Sequence, residues 1–172
     1  MILTGKMIAE EHKLGRIVIE PYSYENVTTN SYDLRLGETV IAYTQDILDP
    51  NKKSSYKEIA LPTDGFVLEK GSFHLGASFE RVGSTHYVPM IHAKSGIARL
   101  GLFIHVTADL IDIGYIGNVT FQLFATESIR IFPKMLIAQM TFWKPIGNIT
   151  LYDGKYQDGK GPQISKTYKD FV

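Results

Sequence analysis

Gly117-Asn-Val-Thr-Phe-Gln-Leu-Phe124 is the stretch that decides the fold. Side chains alternate along an extended chain, so Val119, Phe121 and Leu123 share one face and Thr120, Gln122 and Phe124 the other. The same habit recurs outward in both directions. Arg16–Glu20, Ser31–Leu36, Glu38–Tyr43, Phe66–Leu68, Gly71–Ser78, Tyr87–His92 and Leu102–Thr107 precede it, and Arg130–Phe132 and Leu136–Trp143 follow. Gly, Pro, Asn or Asp separates the runs. Many short strands at this spacing predict a mainly β sandwich or barrel rather than βαβ units. Ser31–Leu36 and Glu38–Tyr43 are expected to pair around Gly37. One short helix opens the chain, with Thr4 as N-cap, Met7, Ile8 and Leu14 as a partial apolar stripe, and Gly15 as the stop. Asp46–Tyr56 is polar and reads as a loop or arm. Residues 1–150 are expected to form a single domain. Residues 151–172 form a tail, with four Gly or Pro from Asp153 onward, that needs something to fold against.

Composition narrows the function classes. The chain has 172 residues with 18 Lys+Arg and 18 Asp+Glu, a formal net charge of zero. That balance gives no support to nucleic-acid or anionic-membrane binding. There is no cysteine, which removes disulfide scaffolds, thiol catalysis and Cys-ligated zinc. No apolar run approaches the ~18 residues of a membrane span. The N-terminal stretch has no apolar core of a secretion signal, so a cytoplasmic protein is expected. The N-x-T triplets at Asn26, Asn118 and Asn148 then read as chance. The histidines, at 12, 74, 86, 92 and 105, show no metal-ligand spacing, so a protein-only metal site is not expected. The zinc-deaminase signature is missing too, so any base deamination would have to be metal-free.

Four segments carry candidate chemistry. In Ala93-Lys-Ser-Gly-Ile-Ala-Arg99, the Lys94 ammonium, the Ser95 hydroxyl and the backbone N–H groups around Gly96 suit an anion cradle. An ordinary capped surface turn has the same composition. In His105-Val-Thr-Ala-Asp-Leu-Ile-Asp112-Ile-Gly-Tyr115, Asp112 sits between two isoleucines and is expected at a strand end near buried surface. A carboxylate there can orient or deprotonate a water, or simply cap the turn. Gln122, flanked by large apolar residues, is expected to be at least half buried and therefore to need partners. It serves either cross-strand bonding or recognition of a polar ligand edge. The tail, Tyr152-Asp-Gly-Lys-Tyr-Gln157 through Lys160 to Phe171, offers lysines and aromatic faces on flexible backbone. That suits a lid over a phosphate-bearing ligand, although a Gly/Lys-rich end is also the usual form of a loose terminus.

Taken in order, these segments resemble the dCTP deaminase branch of the dUTPase superfamily. The matching residues are Ser31-Tyr-Asp-Leu-Arg-Leu-Gly37, Lys94-Ser with Ala98-Arg-Leu-Gly101, His105-Val-Thr-Ala108 with Ile111-Asp112, Pro133-x-Met-Leu-Ile-Ala-Gln139, Gly154-Lys-Tyr-Gln157 with Gly161-Pro162, and Tyr168-x-Asp-Phe171. The resemblance implies a distorted β-barrel or jelly-roll-like subunit of dUTPase type with a C-terminal lid. It further implies a homotrimer with sites at subunit interfaces, a pyrimidine deoxynucleoside triphosphate as small-molecule substrate, and Mg²⁺ carried on the substrate phosphates. Residue by residue, Lys94 stands where the family usually has a phosphate-binding arginine, and Ser95 and Arg99 fall on active-site positions. The segment Val106-Thr107-Ala108 would read the pyrimidine edge through its backbone. Asp112 matches the carboxylate that dUTPases use on the attacking water, and Tyr115 the aromatic that packs on deoxyribose. Tyr152, Lys155 and Lys160 belong to the tail that reaches the triphosphate.

Three departures point away from deamination. Gln122 replaces the glutamate that moves protons in dCTP deaminases, Gly96 replaces a frequent serine, and Gly159 replaces a tail glutamine. The sequence therefore favours a dUTPase-type diphosphatase, giving dUMP and pyrophosphate. Two alternatives stay open. One is a dCTP deaminase, alone or combined with dUTPase activity. The other is a diphosphatase for dCTP or dTTP, or a non-catalytic nucleotide-binding relative.

Overall fold

The computed structural model describes residues 1–171; Val172, the last residue of the expected tail, lies outside them. The opening helix α1 (Gly5–Lys13) starts after Thr4, whose hydroxyl accepts from Met7 N. It ends where Gly15 takes φ +72°, a conformation that costs glycine little. Ile8 and Ala9 turn inward from it.

Eleven strands follow: β1 (Ile17–Glu20), β2 (Tyr32–Arg35), β3 (Thr39–Tyr43), β4 (Tyr56–Ala60), β5 (Phe66–Leu68), β6 (Phe73–Ser84), β7 (Val88–Ala93), β8 (Leu102–Phe103), β9 (Ile116–Ala125), β10 (Ile129–Ile131) and β11 (Leu136–Trp143). A single helical turn, α2 (Ser95–Ala98), sits between β7 and β8. The strands form three sheets. The largest runs β4-β3-β6-β9-β8 with β1 beside β6; β2-β11-β7 and β10-β5 complete the set. All pairings are antiparallel, and none of these sheets closes on itself. The result is a distorted, mainly β, jelly-roll-like fold.

β9 alternates as its sequence requires. Val119, Phe121, Leu123 and Ala125 are buried, while Asn118, Thr120, Gln122 and Phe124 are half-buried. Phe121 and Leu123 join Tyr32, Leu34, Ile137 and Phe142 in one apolar core.

The expected hairpin around Gly37 does not form. β2 pairs with β11, whereas β3 pairs with β4 and β6. Gly37 instead donates its N–H to Ala77 O at 2.8 Å. A turn of one glycine lets the chain change sheets, and Leu34 of β2 and Val40 of β3 still meet in the one apolar core. Leu102–Thr107 is a strand only over Leu102–Phe103, and β6 runs six residues past Ser78. β4 was hidden by its polar composition, because it lies at a sheet edge with mostly exposed side chains.

β6 carries a bulge. Ala77 faces Thr120 and Arg81 faces Asn118, so the three residues Ser78–Glu80 stand opposite the single Val119. Glu80 is fully buried there and accepts from Arg35 Nε at 2.6 Å and Arg35 N at 3.0 Å. A buried carboxylate needs such partners, since removing one leaves an uncompensated charge.

The tail lies along β9. β8 reaches β9 only at Phe124 and Ala125, leaving the edge at 116–120 to the tail. Ile116 N donates to Gln157 Oε1, Asn118 N to Gly159 O, and Gln163 N to Thr120 Oγ1. These contacts cover exposed strand edge, which is otherwise open to foreign pairing.

Candidate active site

A cavity of about 430 Å³ opens between the outward face of β9, the 108–115 loop and the tail. That volume falls in the range of roughly 300–1,000 Å³ common for small-molecule sites. Five of the residues singled out in the sequence line it: Ala108, Asp112, Tyr115, Gln122 and Tyr152. Its remaining wall includes Phe73, Leu75 and Val119 from the sheet and Gln163 and Ile164 from the tail. An apolar floor with few polar groups suits a flat heterocycle. The tail residues carried no motif, and only their position beyond Gly161-Pro162 on β9 brings them here.

Gln122 is held at both ends. Its backbone N donates to Ile104 O at 2.8 Å, and its Oε1 accepts from Val106 N at 3.0 Å. The amide oxygen is thus engaged, and Nε2, with two N–H donors, has no partner among the described residues. The Val106 N–H that the family resemblance assigns to the pyrimidine edge is spent on Gln122. An amide has no protonation change near neutral pH, so Gln122 can hold a polar edge or a water but cannot move protons.

Asp112 does not lie at a strand end near buried surface. It is exposed, in the loop before the Ile113–Gly114 turn. Tyr115 N donates to Asp112 O at 3.1 Å, closing that turn, and the carboxylate stands at the cavity rim. Tyr115 fills one wall, with its hydroxyl donating to Asn118 O at 2.7 Å. Burial pushes its phenol up to about 12, helped by neighbouring Tyr152 and Asp158. It is therefore a neutral packing surface at any ordinary pH. The Tyr152 ring meets it edge-on at 6.2 Å.

Lys94, Ser95, Gly96 and Arg99 are not brought to this cavity within one chain. They flank and form α2, where Ser95, Gly96 and Arg99 are exposed. The Lys94 ammonium pairs with Asp33 on β2. α2 is thus an exposed surface turn whose residues do not line the cavity. Val106 and Thr107 are also exposed beside the cavity rather than lining it. In the tail, Lys155 pairs with Asp170 and Lys160 is exposed. Among the described residues no group of three or more His, Asp or Glu side chains could hold a metal ion. Among the described residues no helix is long and apolar enough to cross a membrane.

With this geometry in place, comparison with known proteins is informative. A family model described as dCTP deaminase-like matches residues 2–145. A Clostridium acetobutylicum protein named "dCTP deaminase, dUMP-forming" is 41% identical over 174 residues, covering 100% of this chain and 99% of that one. A Cytophaga hutchinsonii protein of the same name is 42% identical, with 99% of each chain covered. The solved 2′-deoxycytidine 5′-triphosphate deaminase of Agrobacterium tumefaciens superposes with a TM-score of 0.64 at 22% identity, over 82% of this chain and 47% of that one. The dUTPase of Staphylococcus bacteriophage 80alpha gives 0.50 at 18%, over 81% and 88%. The two solved structures share the fold. From the family match and the full-length likeness to its curated relatives, the chain belongs to the dCTP deaminase-like family.

Proposed function

We propose that the chain is a nucleotide-processing enzyme that hydrolyses a pyrimidine deoxynucleoside triphosphate, most directly dUTP to dUMP and pyrophosphate. The observation that carries this reading is Gln122, a neutral amide lining the cavity with its oxygen tied to Val106 N. Replacing the amine at C4 of cytosine requires a group that takes a proton from the incoming water and returns one to the leaving amine. Gln122 does neither. Hydrolysis occurs at the other end of the ligand, where water attacks the α-phosphorus and the bond to the bridging α–β oxygen breaks. Asp112 at the rim orients that water and accepts its proton. Tyr115 packs against the deoxyribose, and the sugar's missing 2′-hydroxyl lets the ring approach.

The triphosphate needs cations and donors that this cavity does not supply from its own subunit. We place Lys94, Ser95 and Arg99 of a neighbouring copy there, with Lys155 and Lys160 approaching from a tail. The proposed assembly is a homotrimer. It is supported by the absence of Lys94, Ser95 and Arg99 from the lining of their own cavity and by the exposed apolar side chains of Leu100, Phe103 and Val106. Lys94 would exchange its Asp33 partner for phosphate. Mg²⁺ would arrive on the phosphates and neutralise charge there. Light scattering should report a trimer; a stable monomer at micromolar concentration would overturn this arrangement.

A second reading has its own support. The relatives at 41–42% identity are named as dCTP deaminases that form dUMP, and that name favours dCTP deamination coupled to hydrolysis more directly than hydrolysis alone. One experiment separates the two: incubation with dUTP, dCTP and dTTP, scored for pyrophosphate and for ammonia. The first reading expects pyrophosphate from dUTP and little ammonia from dCTP. Ammonia from dCTP at a comparable rate would establish the second.

A further inference from the structure

We infer that Asn118 is the positioning residue that seats the C-terminal tail as a wall of the cavity. All of its polar groups are engaged, and they face in two directions. Toward the sheet, Nδ2 donates to the carbonyls of Ser78, Phe79 and Glu80 at 2.9, 3.3 and 3.1 Å. Those carbonyls are available because the bulge in β6 breaks the ladder there. Toward the tail, Oδ1 accepts from Gly161 N at 3.2 Å, and the backbone N donates to Gly159 O at 2.8 Å. The carbonyl of the same residue accepts from the Tyr115 hydroxyl. The side chain thus joins the bulge to the tail, and the backbone of the same residue adds Gly159 and the aromatic wall.

The anchor behind it is rigid. Glu80 is clamped by Arg35, the Ser78 hydroxyl donates to Glu80 O, and Val119 N donates to Ser78 Oγ. The tail is pressed close in front. A Cβ on Gly117 would lie 2.7 Å from Gly159 N, so glycine permits the approach. Past Gly161, Gln163 N reaches Thr120 Oγ1 and Ser165 N reaches the Tyr43 hydroxyl. Gln163, Ile164 and Ser165 are thereby set into the cavity wall. Only a carboxamide meets both demands at position 118. Alanine meets neither. Aspartate keeps the shape and the acceptor but points a carboxylate at three carbonyls. Thr120 of the N-x-T triplet at 118–120 holds the tail as well, its Oγ1 accepting from Gln163 N.

The affinity part of the test rests on the function proposed above; the exchange part does not. Amide hydrogen exchange should be measured on the full chain and on Asn118→Ala and Asn118→Asp. Asn118→Ala should exchange the amides of residues 157–165 about tenfold faster or more, since the Gly161 N bond is lost together with the three bonds that hold the side chain on the bulge. Asn118→Asp, which keeps the acceptor for Gly161 N, should show a smaller increase. The amides of Phe121 and Leu123 should not change. The affinity for a non-hydrolysable α,β-imido dUTP should fall by about tenfold, with a smaller change in kcat. Unchanged exchange in Asn118→Ala would overturn the inference whatever the affinity. Faster exchange with unchanged affinity would overturn the positioning role. Faster exchange in a protein whose wild type binds no such analogue would uphold the seating of the tail and sink the proposed function instead. If the variants do not fold, the wild type still decides: Gly161 and Gln163 amides exchanging as fast as free peptide would refute the contact.

Discussion

Gln122→Glu is the perturbation that bears most directly on the chemistry. The two side chains have nearly the same shape, and the backbone of residue 122 is fixed independently by its bond to Ile104 O. One carboxylate oxygen would inherit the bond from Val106 N, now charge-assisted and therefore stronger. The other would stand where Nε2 stands, without a partner on the chain and free to take a proton. A positioned general acid–base group contributes about 10²–10⁴-fold to rate. The variant should therefore release ammonia from dCTP about 10²-fold faster than wild type or more. Pyrophosphate release from dUTP should stay within about threefold, because Asp112 and the phosphate end are untouched. The assay follows ammonia by coupled dehydrogenase absorbance and pyrophosphate in parallel samples, for both nucleotides and both proteins. Wild-type ammonia release equal to that of the variant would refute the reasoning, because the amide would then be shown compatible with deamination.

Other consequences are open to direct measurement. Asp112→Asn should lower dUTP hydrolysis by about 10²–10⁴-fold and leave binding of the imido analogue intact; activity within about threefold of wild type would remove Asp112 from the mechanism. Truncation after Pro145 should abolish turnover while circular dichroism still reports a folded β domain, since the core lies within 1–145 and the tail supplies cavity wall and edge cover. Normal turnover by the truncated protein would contradict the lid. Tyr115 gives a pH signature. Its phenol is raised to about 12 in the fold, against about 10 when unfolded. The neutral form is thus preferred by the fold, so its contribution to stability is complete below pH ~10 and fades as pH rises toward 12. Thermal melts between pH 8 and 11.5 should show this loss in wild type and less of it in Tyr115→Phe; identical profiles would argue against a buried neutral phenol.

The sequence by itself determined the strand content and much of the cavity. Alternation is a local property, so β9 and the full span of β11 could be read directly. Asp112, Tyr115 and Gln122 were legible because polar or aromatic residues in apolar surroundings need a reason to be there. The tertiary structure alone decided which strands are neighbours. β2 and β3 have the pattern of a hairpin, yet β2 pairs with β11 and β3 with β4 and β6, and a local pattern cannot weigh distant partners. It alone decided that the α2 residues do not line the cavity of their own chain. It also settled the Gln122 amide, which could turn either way until a backbone N–H sixteen residues earlier took its oxygen. The tail was the least legible part. Gln163 and Ile164 reach the cavity through hydrogen bonds to residues 118 and 120, about forty positions away. Such bonds depend on a bulge in a third strand, and no periodicity in any of the three segments announces them.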